Sequence, residues 1–190
     1  MKNLEIEYKV MINKESFKKL EKILSSLNYE LYKQTNYYYD TLNEDIKKCG
    51  LSLRIRHIIN QNKFLLTLKE KHKDGKMEYE EYLPSNDINN LPGFVKTILY
   101  KYNINNKELV NIAKLTTTRK EYDIEDSKLC LDHSVYYNKE DYEIECESTS
   151  MEKAKRIVET LLKENDIEYT ISDDSKVARA IKNKEMIWFL

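Results

Sequence analysis

The sequence predicts an α+β fold built on an eight-stranded antiparallel β-barrel, a tunnel with a charged interior flanked by helices. Three features carry this prediction. Period-two alternation runs through most of the first 150 residues, the strand-like runs are mostly joined by short turns, and their polar faces carry charges sorted by sign.

Residues 4–12 form the first run, with Leu4, Ile6, Tyr8 and Val10 on one face and Glu5, Glu7 and Lys9 on the other. Residues 16–27 follow as a helix, with Phe17, Leu20, Ile23, Leu24 and Leu27 at helical spacing. Strands are then expected at 29–39, 51–59, 64–71, 77–83, 115–124, 128–136 and 142–148, which makes eight in all. Asn60-Gln61-Asn62 and Asp74-Gly75 have the composition of hairpin turns. Pro92 and Gly93 open a short helix with Phe94, Ile98 and Leu99 as its apolar residues. Ser150 fits an N-cap, with Lys153 where a capping box would carry an acid, and Ala154, Ile157, Val158, Leu161 and Leu162 line the helix behind it. A last helix is expected from Asp173 and Asp174 through Ala178 and Ile181. No linker divides the chain, so residues 1–190 are expected to form a single domain.

Composition narrows the function classes. With 41% hydrophobic, 11% aromatic and 34% charged residues, the chain is too aromatic for disorder and too charged for a membrane protein. The N-terminus has no apolar signal region, and no apolar run is long enough to span a bilayer, so a cytoplasmic protein is expected. Cys49, Cys130 and Cys146 are odd in number and lack metal-ligand spacing, which fits reduced thiols. A net charge of −1 gives no global field for duplex nucleic acid or an acidic membrane, so any anion site must be local.

The local arrangement is informative. Glu143, Glu145 and Glu147 share one face of a strand, with neighbours about 6–7 Å apart. Glu5 with Glu7 and Glu78 with Glu80 form similar acidic rows, while Arg54 with Arg56 and Lys69 with Lys71 form basic ones. Like charges in a row repel unless a counter-charge faces them, and a solvated face would mix signs within a strand. Only five arginines occur, and Arg54, Arg56 and Arg119 all fall on polar strand faces. The expected lumen sets eight acids (Glu5, Glu7, Glu78, Glu80, Asp132, Glu143, Glu145, Glu147) against eight bases (Lys9, Arg54, Arg56, Lys69, Lys71, Arg119, Lys176, Arg179). Clustered carboxylates without His or Cys partners are hard oxygen ligands suited to Mg²⁺ or Mn²⁺. Arg and Lys rows suit phosphate oxygens. Together they describe a metal–polyphosphate site.

Seven landmarks then come in order: Glu5-Ile6-Glu7-Tyr8-Lys9, Asn36 to Thr41, Leu53-Arg54-Ile55-Arg56, Leu66-Thr67-Leu68-Lys69, Thr118-Arg119 with Leu131-Asp132, Tyr142 to Glu147, and Ser175 to Ala180. Over nearly the whole chain they resemble the CYTH, or triphosphate tunnel metalloenzyme, family. Its small stand-alone bacterial branch, whose members often carry the label adenylate cyclase, is the most similar. The resemblance implies an eight-stranded tunnel that binds triphosphate compounds with a divalent metal. Glu5, Glu7, Glu145 and Glu147 are then the catalytic, metal-binding carboxylates, with Glu143, Asp132 and Glu78 behind them. Lys9, Arg54, Arg56, Lys69 and Arg119 would hold phosphates, and Lys176 and Arg179 would reach in from the last helix. Two positions depart from the family pattern. Thr117 stands where many members carry a Lys, and Lys76 is the nearest substitute for an Arg expected before Glu78.

The activity expected from these readings is metal-dependent hydrolysis of a phosphoanhydride in inorganic triphosphate or a triphosphate-containing organic compound. The Arg and Lys rows and the metal would offset the charge of the triphosphate. The alternatives are adenylate cyclase chemistry, in which the ribose 3′-hydroxyl attacks the α-phosphate, and a non-catalytic polyphosphate- or nucleotide-binding module. His57, His72 and His133 lack ligand spacing and read as structural. Tyr37-Tyr38-Tyr39 reads as strand packing, Asp40 as a cap at a strand end, and Cys146 as facing outward against a helix. The apolar tail Met186-Ile187-Trp188-Phe189-Leu190 fits either a fold-back on the barrel or a second copy of the chain in a homodimer.

Overall fold

In the computed structural model, residues 2–171 and 174–187 are described. The helix start expected at Asp173 and the packing of the apolar tail lie outside what is described. Among the described residues nine strands form one antiparallel sheet: β1 Lys2–Glu5, β2 Glu7–Ile12, β3 Glu30–Asp40, β4 Leu51–Ile58, β5 Lys63–His72, β6 Gly75–Leu83, β7 Val110–Ile124, β8 Ser127–Tyr136 and β9 Lys139–Glu147. Within the same described residues five α-helices accompany them: α1 Lys14–Ile23, α2 Asp45–Lys48, α3 Gly93–Lys101, α4 Met151–Glu164 and α5 Lys176–Ile187.

The strand order is β1-β6-β5-β4-β3-β7-β8-β9-β2. The two outermost strands, β1 and β2, are consecutive in the chain and separated by Ile6 alone. The sheet therefore returns to its own beginning and closes. This corrects the expected strand count, because residues 4–12 form two strands rather than one. Glu5 pairs with Lys76 on β6, whereas Glu7 pairs with Glu147 on β9. Ile6 makes the transfer, its carbonyl accepting from Ser148 N at 3.0 Å. At the same seam Gly75 brings β6 against β1, and a Cβ there would lie 2.2 Å from the Glu5 carbonyl oxygen.

The outer face carries two apolar clusters. One joins Val10, Leu129, Leu131, Ile144 and Cys146 to Phe17 and Leu20 of α1 and to Ala154, Ile157 and Val158 of α4. Cys146 thus faces outward against a helix, as its alternation with Glu145 and Glu147 predicts. The other cluster joins Leu53, Ile55, Leu66 and Leu68 to Ile46 of α2 and to Val95 and Leu99 of α3. A third, smaller cluster lies on the inner face at one end, where Tyr38, Ala113 and Leu115 meet Ala180 of α5. The three tyrosines divide between packing clusters as expected, Tyr38 inside and Tyr37 and Tyr39 outside.

Local signals explain the helix boundaries. Asn13 caps α1 by accepting from Ser16 N at 2.7 Å, and Ser150 caps α4 by accepting from Lys153 N. The helix expected to reach Leu27 ends at Ile23 and tightens into a 3₁₀ turn, Leu24–Ser26. Asp40 caps the unexpected α2: its Oδ1 accepts from Ile46 N at 2.8 Å and its Oδ2 from Lys47 N at 3.0 Å. Asn62 closes the β4–β5 turn in the left-handed region at φ 51°. Among the described residues, no helix is long and apolar enough to cross a membrane.

Candidate active site

The inner face of the barrel encloses a cavity of about 940 Å³. Alternation places its lining: each strand turns its polar residues inward, and register carries them around the wall. In order around the barrel the wall reads Glu5 on β1, Glu78 and Glu80 on β6, Thr67 and Lys69 on β5, and Arg54 and Arg56 on β4. It continues with Gln34 and Asn36 on β3, Thr117 and Arg119 on β7, Asp132 on β8, Glu145 and Glu147 on β9, and Glu7 and Lys9 on β2. Most of the sequence-predicted site residues therefore meet in one cavity.

The wall around the seam is acidic and threaded with lysines. Lys69 Nζ donates to both Glu5 oxygens at 2.7 Å and pairs with Glu78 across the β5–β6 ladder. Lys76 Nζ donates to Glu7 at 2.8 Å, which gives this substitute for the family Arg a direct place beside the first carboxylates. Lys9 lies 3.7 Å from Glu7. Burial and Glu145 push the Glu7 carboxyl up, but Lys69, Lys76 and Lys9 outweigh them and hold it at about 2. Glu147 has the opposite balance. Although the residue as a whole is exposed, partial desolvation of its carboxyl and then the charges of Glu5 and Glu78 raise it to about 7. Four carboxylates at the seam thus outrun the lysines between them.

The opposite wall has the reverse imbalance. Arg54 Nη2 donates to Thr67 Oγ1 at 3.1 Å, and the Thr67 hydroxyl donates in turn to Glu80 Oε1 at 2.9 Å. Arg54 Nε is a buried donor with no acceptor among the described residues. Arg56 Nε donates to Asn36 Oδ1 at 2.9 Å, and neither arginine forms an ion pair among the described residues. Burial, then the charges of Arg54 and Arg119, lower the Arg56 guanidinium to about 9. Two cations without a direct salt bridge among the described residues, one with an idle donor, face this cavity, and against the pull of burial both join Lys69 in lowering the Glu78 carboxyl.

Between the walls, Arg119 and Lys176 bind the remaining acids. Arg119 makes a two-pronged contact with Asp132, both bonds 2.7 Å, and also reaches Glu145 at 2.5 Å. Lys176, from the first turn of α5, donates to Glu145 and lies 2.9 Å from Asp132 and 3.2 Å from Glu143. Burial alone would raise Glu145, yet Lys176, Arg119 and Lys9 hold it well below the usual carboxylate range. Glu143 and Arg179 sit elsewhere, since neither lines the cavity. Arg179 Nη2 donates to Glu143 at 2.6 Å, Nε donates to Asp141 at 2.7 Å, and Nη1 donates to the Asp174 carbonyl at 2.9 Å. This clamp docks α5 against β9 one turn beyond Lys176.

Among the described residues no three His, Cys, Asp or Glu groups converge as a ready-made metal set, because lysines stand between the carboxylates. The donor chemistry at the seam still suits a hard divalent cation. Glu5, Glu7, Glu78 and Glu147 are all oxygen donors, and their mutual repulsion at Glu147 marks a place short of positive charge. The three histidines stay apart. His57 stacks on Phe64 at 4.5 Å, His133 stacks on Tyr142 at 4.7 Å and faces Glu140, and His72 lies 3.8 Å from Asp74 at the cavity rim. Sequence reasoning missed Gln34 and Asp141. Alternation places both residues, but a neutral amide and a lone aspartate belong to no charge row.

The comparisons with known proteins agree with this geometry. The CYTH domain family matches residues 3–181. YjbK of Bacillus subtilis, named a candidate triphosphatase, is 35% identical over 167 residues, covering 85% of this chain and 86% of YjbK. A crystal structure of a candidate adenylate cyclase from Bacillus halodurans superposes with a TM-score of 0.82 at 35% identity, covering 94% of this chain and 97% of its own. HpAC1 from Hippeastrum, a candidate adenylyl cyclase described as having a dominant triphosphatase activity, gives a TM-score of 0.78 at 26% identity over 95% of this chain and 96% of its own. With a closed antiparallel sheet, a charged interior and a family match over nearly its whole length, the chain belongs to the CYTH domain family.

Proposed function

We propose that this protein hydrolyses a phosphoanhydride bond of inorganic triphosphate or of a triphosphate-containing compound, with Mg²⁺ or Mn²⁺ as its metal. The observation that carries this reading is the paired imbalance of the cavity. Among the described residues Arg54 and Arg56 face it without ion pairs, while Glu147, opposite, is crowded by carboxylates. A metal-bound polyphosphate relieves both at once, its oxygens meeting the arginines and its cation the carboxylates. The names of YjbK and HpAC1 support the same activity.

In this reading Glu5, Glu7, Glu145 and Glu147 hold the metal, with Glu78 beside them and Asp132 and Glu143 supporting from behind. The bound metal supplies charge neutralisation at the phosphate oxygens. Arg54, Arg56 and Arg119 take the phosphate chain, Lys9 and Lys69 flank it, and Lys176 exchanges carboxylate for phosphate contacts. Arg179 serves the site through the docking of α5. Preformed cations in an enclosed cavity need no reorganisation when charge shifts to the leaving phosphate, which is the largest catalytic term available here. The three unpaired thiols, two of them buried, suit a reducing compartment such as the cytoplasm.

The test is orthophosphate release from inorganic triphosphate, ATP and thiamine triphosphate, with Mg²⁺ or Mn²⁺ and with EDTA. Metal-dependent release from inorganic triphosphate above that from ATP is the expected result. Cyclic AMP as the main product from ATP would overturn it in favour of a cyclase. Tight metal-dependent triphosphate binding without turnover would make the protein a binding module.

A further inference from the structure

Most neutral polar residues of the cavity wall are already engaged. Asn36 Oδ1 accepts from Arg56 Nε, Thr117 Oγ1 and Ser134 Oγ bond to each other at 2.9 Å, and Thr67 links Arg54 to Glu80. Gln34 differs. It is 3% exposed and lines the cavity, and its amide has no hydrogen-bond partner among the described residues. Its amide atoms are not among the buried side-chain atoms left without a partner, so they open onto the cavity and meet whatever occupies it.

Register fixes what surrounds it. Gln34 lies directly across from Thr117 on β7 and from Ile58 on β4. Arg56 is two residues before Ile58 on β4, and Arg119 is two residues beyond Thr117 on β7. Facing side chains on one sheet face stand about 5 Å apart and diagonal ones about 7–8 Å. Gln34 and Thr117 therefore form a neutral pair with a guanidinium on either side. On the triphosphatase reading above, a phosphate group would sit against Arg56 and Arg119, the latter also held by Asp132 and Glu145. The neutral pair marks something beside it that carries no charge.

The amide decides between candidates by its two-sided chemistry. An ionised phosphate oxygen only accepts hydrogen bonds, so it would engage the Gln34 amide nitrogen and leave Oε1 bare. A water molecule can donate to Oε1, stay within reach of Thr117 and keep a lone pair free for phosphorus. We propose that Gln34 is a catalytic residue that, with Thr117, holds the attacking water beside a terminal phosphate bound between Arg56 and Arg119. This rests on the triphosphatase reading above. In the step, the water oxygen bonds to the terminal phosphorus and the bridging P–O bond breaks, its electron pair leaving with diphosphate. For fully ionised triphosphate, one proton of the water ends on orthophosphate and the other on diphosphate.

The experiment is steady-state orthophosphate release from inorganic triphosphate by the full chain and by Gln34→Leu, with Gln34→Met as a second variant should the first fold poorly. The amide is lost in both with little change in volume. The expected result is a kcat lowered about 100-fold with KM within about twofold, and a Tm equal to or above that of the parent. A raised KM with kcat intact would overturn the proposal by making Gln34 a phosphate ligand. Unchanged kcat and KM would overturn it by making the amide a bystander. An inactive parent protein would instead overturn the triphosphatase reading, and this inference with it.

Discussion

Gly75 touches Glu5 so closely that no other residue fits: a Cβ at position 75 would meet the Glu5 carbonyl oxygen at 2.2 Å. The contact lies at the seam where β1 meets β6, one residue before the chain crosses to β9. Gly75→Ala must push β1 away or shift β6. The expected cost is about 1–3 kcal/mol, or about 2–4 °C of Tm for each kcal/mol in a chain of this size. Moving the Glu5 backbone also displaces a proposed metal ligand, so triphosphate hydrolysis should fall on the order of 10- to 100-fold. A variant with the parent's Tm and rate would show that the seam is not under this constraint.

Glu145 and Glu147 are two residues apart on one strand, yet their removal should act oppositely on stability. Glu145→Gln leaves Lys176 and Arg119 short of a carboxylate and should lower stability by about 1–3 kcal/mol. Glu147→Gln removes repulsion from Glu5 and Glu78 and should raise the Tm of the metal-free protein at pH 8. Both changes should abolish metal-dependent turnover. Thermal melts beside activity assays separate the two effects, and turnover surviving in both variants would reject the metal assignment.

The raised Glu147 carboxyl also predicts how metal and pH interact. Its folded value, about 7, lies above the ordinary 4.5, so the folded protein binds more protons than the unfolded chain between those values. The Glu147 contribution is fully present below pH 4.5, declines as pH rises, and is lost above about 7. A bound divalent cation removes that loss by compensating the ionised carboxylate. The rise in Tm on adding Mg²⁺ or Mn²⁺ should therefore be larger at pH 8 than at pH 5.5. Equal shifts at both values would place the metal away from Glu147.

Arg179 lies outside the cavity, and its effect on catalysis should pass through Lys176. Arg179→Gln and Asp141→Asn each cut the clamp that docks α5 on β9, from opposite sides. Each should lower turnover roughly tenfold, and each should have little further effect in a Lys176→Ala background. Such non-additivity marks residues acting as one unit. Additive losses would show that Arg179 contacts substrate by itself.

Most of the fold was legible because a sheet closed around a charged lumen forces strict alternation. Charges facing inward and apolar residues facing the helices gave each long strand a period of two, and rows such as Arg54 with Arg56 exposed the lumen directly. The break at Ile6 left no mark, since Leu4, Ile6, Tyr8 and Val10 alternate without interruption while the partner strand changes. The short α2 was invisible for another reason: its four residues are held by Asp40, a cap that lies outside the helix. Site residues on strands could be placed from alternation apart from Glu143, which shares the β9 row but lies off the cavity, whereas Arg179 could not be placed at all. One turn along a helix is enough to carry a side chain from the cavity to the wall behind it.

The seam at Ile6 has a kinetic meaning. Glu5 must find Lys76, 71 residues away, and Glu7 must find Glu147, 140 residues away, before the ring is complete. Pairings this distant make folding slow compared with a helical protein of equal size. Until they form, β6 and β9 each present an open edge that another chain could pair with. β2 thus waits as an unpaired strand for β9, the last strand of the sheet in chain order. A chain halted before Glu147 has no weakened form of the site, because the carboxylates from the two ends of the sheet come together only when the ring closes.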